Sequence, residues 1–148
     1  AEPFYNRMQE LRIPARLRCV LCKRFMIRAA GSLCGREGAL AILTGENLGQ
    51  VASQTLANLA VISDATTVPV LRPLITYDKA ETITLARKIG TFMEKQGDLA
   101  CRAVPRMPAT AATSLAVKES EALLGIDELL DTVLSRVRYV IARNGRIV

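Results

Sequence analysis

The stretch ALAIL at residues 39–43, followed directly by TGENLGQ at residues 44–50, decides the fold class of this chain. Five apolar residues between two glycines predict a strand that is buried on both faces, as in a parallel sheet. The polar turn leads into a predicted helix over residues 50–59, and residues 68–71 predict the next strand. A strand, a helix and a second strand in this order are typical of a βαβ unit.

Further helices are predicted on both sides of this unit. The periodic segments cover residues 4–11, 22–34, 78–88 and 127–142. The alternation predicts an α/β class with a doubly wound, Rossmann-like parallel sheet, and residues 1–148 form one domain. Two strands are fewer than such a sheet usually has. We therefore interpret the chain as the later half of a domain whose first strands lie elsewhere.

Composition narrows the function classes. Half of the 148 residues are hydrophobic, but no run approaches the roughly 20 apolar residues of a membrane helix. With no signal-peptide pattern at the start, we predict a cytoplasmic protein without a membrane partner. The net charge of +6 favours an anionic partner. The absence of histidine excludes Ser-His-Asp and Cys-His catalysis and histidine metal sites.

Cys19 and Cys22 form a CxxC motif at the start of the predicted helix over residues 22–34. At this position the helix dipole and the neighbouring Lys23 and Arg24 would favour the thiolate form. The motif by itself fits a redox pair, part of a metal or cluster site, or two buried apolar side chains.

The other two cysteines differ in their suitability as further ligands. Cys34 lies 12 positions after Cys22, about 120° around a helix, so both cannot face one ion and Cys34 is predicted to lie in the core. Cys101 falls in the aperiodic region 94–113 and is the better third ligand.

Two strand-to-helix turns offer groups for a phosphate. Gly45 and Gly49 in the first turn would let backbone approach a ligand at the carboxyl end of the sheet. Arg72 and Lys79 offer two cations in the second turn. The alternative interpretation is that the first turn is an ordinary structural turn and that Arg72 and Lys79 are a surface arginine and an exposed helix lysine.

A basic run without acidic residues extends over residues 12–28 and is a candidate for contact with RNA phosphates. A solvated basic face is the alternative. The basic residues of the run are Arg12, Arg16, Arg18, Lys23, Arg24 and Arg28.

Several stretches together resemble a known family. They are TGENLGQVASQTL at residues 44–56, LRPLI at 71–75, DK at 78–79, RKIGT at 87–91 and CKRFM at 22–26. They resemble the tRNA 4-thiouridine synthetases, also called thiamine-biosynthesis sulfurtransferases. The resemblance covers nearly the whole chain and corresponds to the later half of the family's PP-loop, adenine-nucleotide α-hydrolase-like domain.

The resemblance implies an activity and its residues. Members of the family use ATP with Mg to adenylate the carbonyl oxygen of uridine 8 in tRNA, and then replace that oxygen with sulfur; the sulfur chemistry is also linked to thiamine thiazole synthesis. By motif, nucleotide contacts fall on Lys23, Gly45 and Gln54, and catalytic roles fall on Lys79 and Cys101.

The resemblance also implies an iron–sulfur cluster. Archaeal-type members hold one with a CxxC and the loop cysteine, which correspond to Cys19, Cys22 and Cys101. Three thiolates would leave one iron open to carry the incoming sulfur. Bacterial relatives with a rhodanese domain deliver a persulfide instead.

Three parts of the family pattern are missing from these residues: the Ser-Gly-Gly-x-Asp-Ser phosphate loop, the RNA-binding THUMP region and the rhodanese domain. We therefore expect the chain alone to be inactive and to need a segment or chain that carries the phosphate loop. The expected partners are this segment, tRNA, a sulfur donor and a second copy of the chain in a homodimer. The alternatives are a subunit of a split enzyme, a standalone nucleotide- or cluster-binding module, and a redox protein that uses Cys19 and Cys22.

Overall fold

A computed structural model describes residues 2–51, 53–93, 101, 104–143 and 146–147. No helix within these ranges is long and apolar enough to cross a membrane. The helices are α1 (Glu2–Glu10), α2 (Arg18–Glu37), α3 (Leu56–Ser63), α4 (Lys79–Lys88), α5 (Ser114–Leu124) and α6 (Ile126–Leu134), and the strands are β1 (Ile42–Leu43), β2 (Val70–Leu71), β3 (Ala142–Arg143) and β4 (Arg146–Ile147).

Helix α2 lies at the centre of the fold and packs against α1, α3, α5 and α6. Its inward residues Val20 and Leu21 are completely buried, and Phe25 stacks on Phe4 of α1 with ring centroids 4.3 Å apart. Each such side chain contributes about 1.5–3 kcal/mol by leaving water. The hydrophobic core is therefore organised around the helix that also carries the CxxC motif.

The predicted βαβ unit is present. Strands β1 and β2 are parallel, with Ile42 opposite Val70, and the Ile42 N–H donates to the Pro69 carbonyl oxygen at 2.8 Å. Helix α3 lies between the two strands in the chain and packs on α2. Both strands point their carboxyl ends toward the same edge.

The predicted burial of the first strand is wrong. Only residues 42–43 of the predicted strand 39–43 pair, and Leu40 and Leu43 are 88% and 69% exposed. A parallel strand is covered on both faces only when neighbouring strands and helices surround it, and in the described ranges β1 pairs with β2 alone. The apolar run at residues 39–43 is therefore more exposed than its sequence predicts.

Two helix boundaries also differ from the prediction. Helix α3 begins at Leu56 rather than residue 50, because the Thr55 hydroxyl accepts a hydrogen bond from the Asn58 N–H at 3.2 Å and caps the helix there. Helix α6 ends at Leu134 rather than residue 142. The β-branched residues after it and the Asn-Gly sequence at 144–145 favour the hairpin of β3 and β4 instead.

Local signals predicted other boundaries well. Helix α4 begins one residue after the start of its predicted range, with a capping box: the Asp78 carboxylate accepts from the Glu81 N–H, and the Glu81 carboxylate accepts from the Asp78 N–H, both at 2.8 Å. Helix α1 ends at Glu10, one residue before the end of its predicted range. Arg12 adopts the left-handed conformation, with φ 51°, and the Ile13 N–H donates to the Met8 carbonyl oxygen, which closes the helix.

Candidate functional site

Four side chains meet at the carboxyl edge of the β1–β2 pair. One carboxylate oxygen of Glu46 accepts a hydrogen bond from Lys23 Nζ at 2.8 Å, and the other accepts from Arg72 Nε at 2.9 Å. Arg72 also donates to the Ser63 hydroxyl at 3.0 Å. We call Lys23, Glu46, Ser63 and Arg72 the Glu46 cluster. It joins the central helix to the turns that follow both strands, which is where parallel sheets bind ligands.

The electrostatics of the Glu46 cluster suit an anion. The side chains of Lys23, Glu46 and Arg72 are only 22%, 12% and 13% exposed. Burial raises the pKa of the Glu46 carboxyl, but the hydrogen bonds from Lys23 and Arg72 outweigh it and hold this pKa below its ordinary value. One carboxylate thus holds two cations in place and leaves the cluster with a net positive charge. The alternative interpretation of Arg72 as a surface arginine is wrong.

The turn after β1 leaves space for a flat ligand. Gly45 is exposed, and a Cβ atom built on it would meet no other described atom within 4 Å. Gln54 is half-buried; its Oε1 atom is shielded from water and has no hydrogen-bond partner among the described residues. The Gly49 N–H donates to the Gln54 carbonyl oxygen at 3.1 Å and holds the turn together. Open space at Gly45 and an unsatisfied acceptor at Gln54 in the same turn fit a nucleotide base with an amino group.

The two turns at this edge contact each other. The side-chain amide of Asn47 donates to the Tyr77 carbonyl oxygen at 3.2 Å, and the Leu48 N–H donates to the Ile75 carbonyl oxygen at 3.1 Å. Lys79, the first residue of α4, comes directly after the second turn and is exposed. The structure thus brings Lys79 to the same edge but outside the contacts of the Glu46 cluster.

The CxxC motif lies inside α2 rather than before it. The helix begins at Arg18, so Cys19 and Cys22 occupy its first two turns and are both half-buried. Burial and the charge of Cys101 raise the pKa of both thiols, and Lys23 opposes this only in part. The predicted preference for thiolate is therefore wrong for the protein without a metal. The same interaction shows that Cys101 lies within electrostatic range of both residues.

Cys34 is buried in the core, as predicted. Within the described ranges, no three cysteine or carboxylate side chains lie close enough together to ligate one metal ion. The donor types at Cys19, Cys22 and Cys101 fit an iron–sulfur cluster, but the ligating geometry is not formed in this structure.

The loop that follows Cys101 is fixed to α3. The Asn58 side chain, which is completely buried, donates to the Ala109 carbonyl oxygen at 2.8 Å and accepts from the Ala112 N–H at 2.9 Å. The Thr55 hydroxyl donates to the Thr110 carbonyl oxygen at 2.6 Å. Sequence reasoning missed Asn58, because a polar residue in a short apolar helix gives no signal of its distant partners.

A cavity of about 500 Å³ opens beside this loop. The Ala109 N–H donates to the Arg16 carbonyl oxygen at 2.9 Å and so closes one side of it. The cavity is lined by Arg16, Leu17, residues 107–113 and Ala116.

The basic run of residues 12–28 does not form one surface. Arg12 and Arg16 are exposed, and Arg18 is half-buried with its Nε atom unpartnered among the described residues. Arg24 is completely buried, and it donates through Nε and a terminal nitrogen to the Glu121 carboxylate at 2.8 and 2.9 Å. The interpretation of the whole run as an RNA-binding or solvated face is therefore wrong for its second half.

Arg28 and Lys23 are also paired. Arg28 donates to the Glu121 carboxylate at 2.9 Å, and Lys23 belongs to the Glu46 cluster. Burial raises the pKa of the Glu121 carboxyl, but the hydrogen bonds from Arg24 and Arg28 outweigh it and keep that pKa low. These contacts join α2 to α5 and leave Arg12, Arg16 and Arg18 as the candidates for RNA.

Comparison with known proteins agrees with this geometry. A curated relative from Thermus thermophilus, described as a probable tRNA sulfurtransferase, is 45% identical over 124 residues, which cover 82% of this chain and 30% of the relative. A second, from Coxiella burnetii and described in the same words, is 38% identical over 148 residues and covers 96% of this chain and 38% of the relative. The chain thus spans about a third of the length of these relatives.

A solved structure is similar as well. The crystal structure of a 4-thiouridine synthetase–RNA complex with bound ATP superposes with a TM-score of 0.78 and 35% identity, over 84% of this chain and 33% of that chain. This likeness and the parallel β1–β2 pair confirm the predicted α/β, Rossmann-like class. The family described as "Thiamine biosynthesis protein (ThiI)" matches residues 3–126. The chain therefore belongs to the ThiI family.

Proposed function

We propose that this region forms the nucleotide-facing part of a tRNA sulfurtransferase that makes 4-thiouridine at position 8 of tRNA. Family membership over residues 3–126 carries the proposal. The solved relative, a 4-thiouridine synthetase in complex with RNA and ATP, supports both substrates. In the reaction, the uridine carbonyl oxygen attacks the α-phosphorus of ATP and pyrophosphate leaves. The incoming sulfur then displaces AMP.

The nucleotide is held at the carboxyl edge of β1 and β2. The base lies over Gly45, where a side chain would block close approach, and its amino group donates to the buried Gln54 Oε1 atom. Lys23 and Arg72, which Glu46 holds at this edge, would meet the α-phosphate, and a bound Mg would neutralise charge on the ATP phosphates. Lys79, at the start of α4, meets the negative charge that develops there during adenylation.

The sulfur arrives through the cysteines at the start of α2. Cys19, Cys22 and Cys101 are three free thiols within electrostatic range of one another, and their donor type fits an iron–sulfur cluster. When bound, such a cluster supplies an iron that accepts the incoming sulfur. Because the pKa values of Cys19 and Cys22 are raised, metal binding must displace their protons and becomes stronger with rising pH.

The reacting uridine approaches past the loop that carries Cys101. Arg16 lines the cavity at residues 107–113 and contacts tRNA phosphates, together with its neighbours in the chain, exposed Arg12 and half-buried Arg18. Reversal of Arg16 and Arg18 to glutamate should weaken tRNA binding and reduce its salt dependence.

Complementation tests the proposal directly. The chain is mixed with a polypeptide that carries the preceding part of the Thermus thermophilus relative, together with ATP, Mg, sulfide and unmodified tRNA. We expect 4-thiouridine in the digested tRNA, and none when Lys79→Met replaces the wild-type chain. The proposal would be overturned if both polypeptides are folded, no 4-thiouridine forms and the chain binds no AMP. AMP binding without thiolation would favour the nucleotide-binding module instead.

A further inference from the structure

The end of the chain is strongly basic and lies outside the family match. Residues 136–148, which we call the arginine segment, contain four arginines, no lysine and no acidic residue. The ThiI match ends at residue 126 and assigns no role to them. The four arginines are Arg136, Arg138, Arg143 and Arg146.

Part of this segment has a defined backbone. Strands β3 and β4 are antiparallel, with residue 143 opposite residue 146 in the register.

The exposed arginines of the segment also lack carboxylate partners. Arg136, Arg138 and Arg143 are all exposed. None of them forms an ion pair with any residue that the structure describes, whereas Arg24, Arg28 and Arg72 in the body of the protein all do. The charge of the segment is therefore available to a partner.

The segment is fixed to the body of the protein. The Tyr139 hydroxyl donates to a carboxylate oxygen of Glu37 at 2.7 Å, at the end of α2. The Glu37 carboxylate raises the pKa of Tyr139, and Arg36 lies close enough to oppose this. The Tyr139 ring remains 67% exposed. Arg36 thus adds a fifth cation next to an accessible aromatic ring.

We infer that the arginine segment, with Arg36, is a second docking surface for the phosphate backbone of RNA. Arginine pairs with phosphate through two parallel hydrogen bonds and stacks on bases, and an exposed tyrosine offers a further stacking surface. This inference rests on the proposed function, because it identifies the bound RNA as the tRNA substrate.

The surface lies far from the CxxC motif, so a ligand that contacts both must be a long polyanion. Helix α2 runs from the CxxC motif at one end to Glu37 at the other, about 25 Å away at 1.5 Å per residue. A nucleotide cannot reach both ends, but a folded RNA can. The surface therefore holds a part of the tRNA remote from the reacting uridine.

Charge reversal tests the surface. The variant Arg136→Glu/Arg138→Glu/Arg143→Glu is compared with a control of equal charge change, Arg7→Glu/Arg87→Glu/Lys88→Glu. Binding of unmodified tRNA is measured by fluorescence anisotropy over a series of salt concentrations. The segment variant should bind at least about tenfold more weakly and with a salt slope smaller by about 3, whereas the control should change much less.

The folding of the variants is checked separately. Circular dichroism and AMP titration show whether each variant keeps the fold of the wild type. If the triple variant does not fold, Arg138→Gln/Arg143→Gln is used, with an expected loss of about threefold or more.

Two results would overturn the inference. One is equal tRNA binding by the segment and control variants. The other is wild-type binding to vesicles containing phosphatidylserine without binding to tRNA, which would assign the surface to a membrane. In either case the proposed function would stand if the wild type still binds AMP and forms 4-thiouridine in the complementation test. Failure of this inference can therefore be distinguished from failure of the proposed function.

Discussion

At the scale of single residues, the site depends on Glu46. Its position after a strand was visible in the sequence, but its role was not, because its partners Lys23 and Arg72 lie 23 and 26 positions away in the chain. Gly45 was a candidate from its place in the strand-to-helix turn and from family resemblance, whereas Gln54 was a candidate from family resemblance alone. The structure adds a physical reason for each: open space at the glycine and an unsatisfied buried oxygen at the glutamine.

Replacement of Glu46 by glutamine should destabilise the protein at neutral pH. Two charge-assisted hydrogen bonds weaken, so we expect the free energy of unfolding to fall by about 2 kcal/mol. Because the pKa of Glu46 is lowered on folding, its contribution exists above the unfolded pKa of about 4.3 and is lost as the pH falls through the folded value. Urea unfolding at neutral and acidic pH should show wild type and variant converging in acid. An unchanged urea midpoint at pH 7 would show that the Glu46 cluster does not stabilise the protein. The control is Glu119→Gln, at an exposed position.

Replacement of Gly45 by valine separates nucleotide binding from folding. The added side chain meets no described atom within 4 Å, and φ at Gly45 is not in the left-handed region, so the thermal midpoint should stay within about 2 °C of wild type. The branched side chain occupies the space proposed for the base, so AMP binding measured by calorimetry should be abolished. Gly35→Val, at an exposed helix position with equal space, should bind AMP normally. Unfolding of the Gly45 variant would mean that this glycine serves the turn.

At the scale of elements, predictions from local signals succeeded and predictions that depend on distant partners failed. The capping box of α4 lies within four residues, so the sequence was sufficient. Helix α5 was not predicted, because its buried face combines Val117 and Leu124 with the polar Ser120 and Glu121, which breaks the apolar period. Glu121 is buried only because Arg24 and Arg28 of α2 neutralise it, about 95 positions earlier.

Replacement of Glu121 by glutamine should therefore loosen α5 from α2. The change removes the close counter-charge of the completely buried Arg24 and leaves only the Asp64 carboxylate, 3.9 Å from its guanidinium, so we expect a loss of about 3 kcal/mol in the free energy of unfolding. The pKa of Glu121 is also lowered on folding, so the loss should be full at neutral pH and should diminish below about pH 4. Glu119→Gln on the exposed side of the same helix should cost less than about 0.5 kcal/mol. Equal stability of the two variants in urea unfolding would contradict the role of this ion pair.

At the scale of the whole molecule, α2 joins the proposed chemistry to the proposed RNA contacts. Its first turns carry Cys19 and Cys22, its middle holds the core, and its last turn contacts Tyr139. Sequence reasoning predicted the βαβ unit but not this arrangement. The Arg24–Glu121 pair and the Tyr139–Glu37 hydrogen bond join residues about 100 positions apart in the chain, and no local pattern reveals such contacts.

The cysteines provide the last prediction, since they depend on the folding of the whole chain. Cys101 lies 79 residues after Cys22 in the chain, yet it is exposed and lies within electrostatic range of both cysteines of α2. Cys34 is held in the core on another face of the helix and cannot join them. We expect Cys19→Ser, Cys22→Ser and Cys101→Ser each to lose most of the iron and sulfide from anaerobically prepared protein, whereas Cys34→Ser keeps both. Full iron in Cys101→Ser together with loss in Cys34→Ser would contradict the ligand set. Zinc in place of iron in the wild type would refute the sulfur-carrying cluster itself, because zinc offers these three thiolates no redox chemistry and no iron site for the sulfur.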